Sequence, residues 1–183
     1  MTTRFRANEI RGLVPHTPSY RAEILLREAA SHIAQYDVFL SHSLRDAQLI
    51  YGVRELLVKQ GLSVYVDWID DPQLDRSYVT PATADRLCQR MRRCATLLYV
   101  STRAAQRSRW MPWELGYFDA TKGRDRVLIM PIEGIGAGQF DGEEYLGLYR
   151  SVEKSGLASP YIAPVRPGGP TESLGSYIRM RRA

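Results

Sequence analysis

Between Tyr36 and Ile132 the chain alternates short apolar runs with longer amphipathic stretches, and this alternation limits the fold more than any other feature. Tyr36-Asp-Val-Phe-Leu-Ser-His-Ser43 has the character of a buried strand that ends in small polar residues. Ser43 and Asp46 then have the spacing of a capping box. Leu49, Ile50, Val53, Leu56 and Leu57 follow on one helical face, and Gly61 suits the helix end. Leu62 to Trp68 reads as a second strand, with Val64 and Val66 typical of strands. After an aspartate-rich loop over 69–78, Thr80-Pro81 opens another helix, with an apolar stripe of Ala84, Leu87, Cys88 and Met91. Ala95 to Thr102 and Val127 to Ile132 are two further strands. Strand, helix and strand in one sheet imply right-handed parallel crossovers. The expected fold class is therefore α/β, an open parallel sheet with helices on both faces.

The flanks are read as additions to this frame. Residues 1–35 are assigned to an N-terminal extension with one helix, Ser19 to Ala34, expected to pack on the domain or to meet a second copy. Residues 36–183 form the main domain, closed by a helix over Thr171 to Arg182 with Leu174, Tyr177 and Ile178 inward. Tyr145 to Tyr149 reads as a short edge strand and Pro160 to Pro170 as a connector. Gly134-Ile-Gly-Ala-Gly138 lacks the spacing of a dinucleotide fingerprint and is read as a loop.

A chain of 183 residues, 44% hydrophobic and 25% charged, has the material for one packed domain. Its net charge of +5 favours anionic partners, but the arginines are scattered, which argues against a nucleic-acid module. No stretch has the length of a membrane span and the start lacks an apolar signal core, so the expected location is cytoplasmic. Cys88 and Cys94 are placed on one helix and read as reduced, structural thiols. His16, His32 and His42 are far apart, so no metal is expected. Arg86, Arg90, Arg92 and Arg93 are read as a solvated face.

The stretch that draws most chemical attention is Ser108-Arg-Trp-Met-Pro-Trp-Glu-Leu-Gly-Tyr117. Pro112 is tolerated only in a first helical turn, so a helix should begin near Ser108, with that serine as its cap. Trp110 and Glu114, four apart, then share a face, and Glu114 lies about one turn from the positive end of the helix dipole. An indole beside a fixed carboxylate suits a flat cationic ring carried on a sugar. In an open parallel sheet ligands bind beyond the carboxyl ends of the strands. The Ser41-His42-Ser43 loop, the loop that starts at Trp68 and the start of the Trp110/Glu114 helix all converge there.

On these motifs the chain resembles the TIR (Toll/interleukin-1 receptor) domain family, over about residues 36 to 150. Tyr36 to Ser43 looks like the family's first box, Asp67 to Tyr78 takes the place of the loop after its second strand, and Ser108-x-Trp110-x-x-x-Glu114-Leu115 is similar to the catalytic helix of its enzymatic branch. The resemblance implies the flavodoxin-like TIR fold. It implies an enzyme that cleaves NAD+ at the nicotinamide–ribose bond, giving ADP-ribose or a cyclic ADP-ribose isomer, in bacterial antiphage defence or signalling. NAD+ is then the substrate and no cofactor is needed. Other TIR subunits are the implied partners, with activity on self-assembly, along with a separate sensor or effector protein.

Within that reading Glu114 is the catalytic carboxylate. Trp110 and Trp68 stack on or wall the pocket. Arg45 and the following helix receive the pyrophosphate, with His42 and Ser43 nearby. Ser43 serves equally well as a cap. Trp113 either steers the intermediate between water and adenine or is core. The competing reading is a non-catalytic TIR adaptor or effector that acts by TIR–TIR interaction.

Overall fold

Strand period two sorts the apolar side chains of the central strands onto opposite faces of one sheet. In β3 (Tyr36–Ser41), Val38 and Leu40 face one way and Phe39 the other. In β5 (Cys94–Ser101) the split is Leu98 and Val100 against Leu97 and Tyr99. In β6 (Val127–Glu133) it is Leu128 and Met130 against Val127 and Ile129. A sheet that is apolar on both faces must be covered on both.

A computed structural model describes residues 2–14, 35–71, 80–134, 143–155, 161–165 and 172–182. The remaining elements are β1 (Thr2–Thr3), β2 (Phe5–Arg6), α1 (Ala7–Arg11), α2 (Ala47–Val58), β4 (Val64–Tyr65), α3 (Asp67–Asp70), α4 (Pro81–Arg92), α5 (Trp110–Lys122), β7 (Arg150–Ser155), β8 (Tyr161–Val165) and α6 (Leu174–Arg179). The helix expected over Ser19–Ala34, the loop segment 72–79 and the glycines at 136 and 138 lie outside the described residues.

The main path of the sheet runs β1-β7-β6-β5-β3-β4. The five strands β4-β3-β5-β6-β7 are mutually parallel, with Val38 opposite both Val64 and Thr96, and Leu98 opposite Leu128. In chain order that is the 2-1-3-4-5 arrangement of flavodoxin-like proteins. Helices α1, α2 and α6 cover one face through Ile10, Leu49, Ile50, Val53, Leu56, Leu57, Leu174, Tyr177 and Ile178. Helices α4 and α5 cover the other through Leu87, Met91, Met111, Leu115 and Phe118. Thr80 caps α4 by accepting the Thr83 N–H at 3.1 Å, and α2 and α5 are followed by Gly61 and Gly123, both at positive φ. Among the described residues no helix is long and apolar enough to cross a membrane.

Several local expectations give way to the structure. The second strand is only Val64–Tyr65, because Asp67–Asp70 turns at once into α3, where the Asp70 carboxylate accepts the Val66 N–H at 2.6 Å. Ser43 and Asp46 do not form a capping box: Asp46 instead accepts the Thr102 hydroxyl at 2.6 Å, tying the loop after β3 to the end of β5. Tyr145 to Tyr149 is not a strand, since Glu144–Leu148 forms a 3-10 turn, and the strands follow at β7 and β8, the latter inside the expected connector. Cys88 and Cys94 do not share a helix: Cys88 lies in α4 and Cys94 opens β5. Both thiols are free.

The start of the chain is part of this sheet. β1 pairs with β7, β2 pairs with β6, and α1 packs on α2. The α1–α2 contact depends on Gly52, where a Cβ would sit 2.1 Å from the Ile10 carbonyl oxygen and 2.7 Å from its carbon. Backbone atoms cannot rotate away, so overpacking of about 1–3 kcal/mol outweighs the helix-propensity gain of about 1 kcal/mol. Gly52→Ala is expected to lower the urea midpoint and to expose residues 2–14 to limited proteolysis before the domain unfolds.

Candidate active site

The site is built where β3 and β5 end and α5 begins. β3 connects outward to β4, whereas the next strand, β5, lies on its other side, which makes the carboxyl edge between β3 and β5 the topological switch point of the sheet. α5 starts at Trp110, just after a 3-10 turn over Ala105–Arg107, and Ser108 Oγ accepts the Met111 N–H at 3.3 Å. Pro112 falls in the first turn, where its missing N–H costs nothing. Met111, Leu115 and Phe118 hold the helix on the sheet, and that places Glu114 on the inner side.

Glu114 is 0% exposed, and Ser41 Oγ donates to its Oε2 at 2.7 Å. A buried carboxylate is tolerated only with such partners, and this distance is typical of a hydroxyl bound to an anion. Ser41 is itself fully buried. Tyr99, opposite Ser41 on the neighbouring strand, is held well above the usual tyrosine range, first by burial, then by Tyr145 and by the carboxylates of Glu143 and Glu114. Its hydroxyl therefore stays protonated beside the carboxylate.

The other residues singled out in the sequence divide into those the fold draws together and those left at the rim. His42 is buried, its Nδ1 2.8 Å from the Leu40 carbonyl oxygen, to which it donates. Its Nε2 accepts the Trp68 indole N–H at 2.6 Å and lies 3.4 Å from Asp67 Oδ1. Both ring nitrogens are thus engaged inside the protein, so His42 acts as a bracket between β3 and α3. Trp68, half-buried, also packs edge-to-face on Tyr51 at 4.8 Å. Ser43 is buried, and its Oγ accepts the Arg45 N–H at a long 3.4 Å. Arg45 is exposed in the turn Leu44–Asp46, ahead of α2. Trp110 is half-buried against the α4–α5 core, while Trp113 is 37% exposed. Trp113 meets Trp110 edge-to-face at 5.4 Å and stacks on Tyr117 at 5.8 Å, so it stands outside the core.

A second cluster fixes the chain just before residue 72. Asp71 is buried and accepts two parallel bonds from Arg90, both 2.7 Å, and one from the Tyr65 hydroxyl at 2.8 Å. Arg90 is therefore not part of a solvated face. Among the described residues no group of three or more histidines, cysteines or carboxylates could hold a metal.

Sequence reasoning passed over Ser41 as the partner of Glu114, although a signal was present. Phe39 faces the α4–α5 side, so period two puts Ser41 on that side as well. The bidentate Arg90–Asp71 pair left no comparable trace, because it joins α4 to a residue 19 positions earlier.

No protein-family model matches the chain. It is 48% identical over 120 residues to a Bacillus cereus (strain MSX-D12) protein named probable 3' cyclic ADP-D-ribose synthase ThsB', a match covering 65% of this chain and 61% of that protein. It is 34% identical over 83 residues to a Cytobacillus dafuensis protein named putative cyclic ADP-D-ribose synthase TIR2, covering 45% of this chain and 22% of that protein. The chain thus spans about three fifths of the first relative and about a fifth of the second.

Proposed function

We propose that this chain, which belongs to the bacterial TIR-domain family, cleaves NAD+ between nicotinamide and ribose with Glu114 as the catalytic carboxylate. The observation that carries the reading is a fully buried glutamate, hydrogen-bonded by a strand-end serine, at the switch point of a sheet of flavodoxin order.

The chemistry asks little of the protein. Ordinary glycosidases need a general acid for the leaving oxygen. Nicotinamide in NAD+ is a pyridinium, so when its bond to the ribose C1 breaks it leaves neutral with the bonding electron pair. The positive charge passes to the ribose as an oxocarbenium ion. A fixed carboxylate in a water-poor site stabilises that charge without reorganising. Capture by water, with loss of a proton, gives ADP-ribose. Capture by a nucleophilic group of the same molecule gives a cyclic isomer, and the names of both relatives support the cyclic outcome. In this scheme Trp110 and Trp68 wall the nicotinamide side, and Ser43 and Arg45 lie on the path of the pyrophosphate. Trp113 stands at the entrance. Self-association completes the pocket, and the setting is bacterial defence signalling.

Incubation with NAD+ at high protein concentration, with nicotinamide and sugar-nucleotide products separated by chromatography, tests the reading. Nicotinamide release with a cyclic ADP-ribose isomer is expected. No release at any protein concentration would favour a non-catalytic adaptor. Ser41→Ala is a finer probe. A hydrogen bond to a charged group is worth about 1.5–3 kcal/mol. Removing it should lower kcat about ten- to a hundredfold while KM changes little, because Ser41 positions the carboxylate and is not expected to touch substrate.

A further inference from the structure

A cavity of about 580 Å³ opens on the opposite, amino edge of the sheet, away from Glu114. Its floor is the start of β3 and β5 (Tyr36, Asp37, Cys94, Ala95), and its walls are the last turns of α4 and α5. Among the described residues the basic ones that line it are Arg92, Arg93, Lys122, Arg126 and Arg182, and the acidic one is Asp37. That carboxylate is taken up internally. Arg182 binds it through both nitrogens of its fork, the second contact at 2.6 Å, and Ser63 donates to it from its backbone N–H at 2.8 Å and its hydroxyl at 3.0 Å. Lys122 Nζ donates to the Arg92 carbonyl at 2.8 Å, and Arg126 donates to the carbonyls of Ala95 and Arg181. A neutral carbonyl holds Lys122 in place without cancelling its charge. Arg92, Arg93 and Lys122 therefore border one concavity in which, among the described lining residues, the carboxylate of Asp37 is already taken up by Arg182.

We propose that this amino-edge cavity is a second binding site, for a small phosphorylated anion of up to nucleotide size. The volume falls in the range of small-molecule pockets, roughly 300–1,000 Å³. Guanidinium forks match phosphate oxygens in pairs, and a lysine adds a point charge. A bounded hollow suits one or two phosphoryl groups on a small molecule better than a nucleic-acid strand, which needs a continuous basic track.

The test titrates the full chain with inorganic pyrophosphate and with ADP by calorimetry and follows backbone amide shifts by NMR. Saturable binding that weakens as salt rises, with the largest shifts at Asp37, Cys94, Ala95 and Lys122, is the expected result. Arg93→Ala combined with Arg92→Ala should weaken it at least tenfold, and Arg45→Ala should leave it unchanged. Binding lost in Arg45→Ala but kept in the double variant would assign the anion to the carboxyl edge and overturn the proposal. So would the absence of saturable binding, or shifts confined to residues around Ser43 and Glu114. The amide map needs no variant, so a misfolded double variant does not blunt the test. The outcome is also independent of whether NAD+ is cleaved.

Discussion

Glu114→Gln should reduce NAD+ cleavage by about a hundred- to a thousandfold or more, the usual loss when a preorganised electrostatic group is removed from a transition state. The replacement keeps the volume, and an amide oxygen can still accept the Ser41 hydroxyl that now lies 2.7 Å from Oε2. The fold should therefore survive. Nicotinamide release measured beside a thermal melt separates the two effects. Turnover retained in a folded Glu114→Gln protein would remove the residue from the mechanism.

The second large effect is on stability. Arg90→Ala strips two 2.7 Å bonds from Asp71, which is 3% exposed and would keep only the Tyr65 hydroxyl. Breaking one side of a buried pair costs about 3–5 kcal/mol. Arg90 is 30% exposed, so water offsets part of this, and about 2–4 kcal/mol is expected. Asp71 sets a pH signature for the loss. Arg90 and Tyr65 overcome the upward push of burial and hold the Asp71 carboxyl below its ordinary value. A lowered carboxyl contributes stability that is present above its unfolded pKa and is lost as pH falls through the folded one. In Arg90→Ala that acid-side loss should flatten. Asp70, next in the chain, has the opposite sign. Burial pushes it up to about 6, so its contribution is present below its unfolded pKa and fades as pH rises through about 6. Urea unfolding from pH 3 to 8 on both proteins checks the sign and the size.

The sheet and its helices were legible because period-two runs and period-3.6 stripes leave marks in a sequence. Leu49, Ile50, Val53, Leu56 and Leu57 are all buried on one face of α2, as their spacing requires. Glu114 was legible for a local reason, since Pro112 fixes where the helix must begin. What escaped was the long-range part. Ser41 meets Glu114 across 73 positions, and Asp46 meets Thr102 across 56, so no local rule links them. The second strand was read too long because Asp67 and Asp70 follow valines that favour strand. Tertiary and capping contacts ended it at Tyr65.

The margins of the sheet limit how copies of this protein can meet. Among the described residues one margin is β4, two residues long, and the other is β8, where Pro164 has no N–H to offer. Neither is a good template for an incoming strand. A filament or ring of these subunits would be made by helix and loop surfaces pressing together, so its geometry would be set by side chains and would be open to single-residue change. Strand-on-strand growth, which is hard to reverse, is disfavoured by the fold itself.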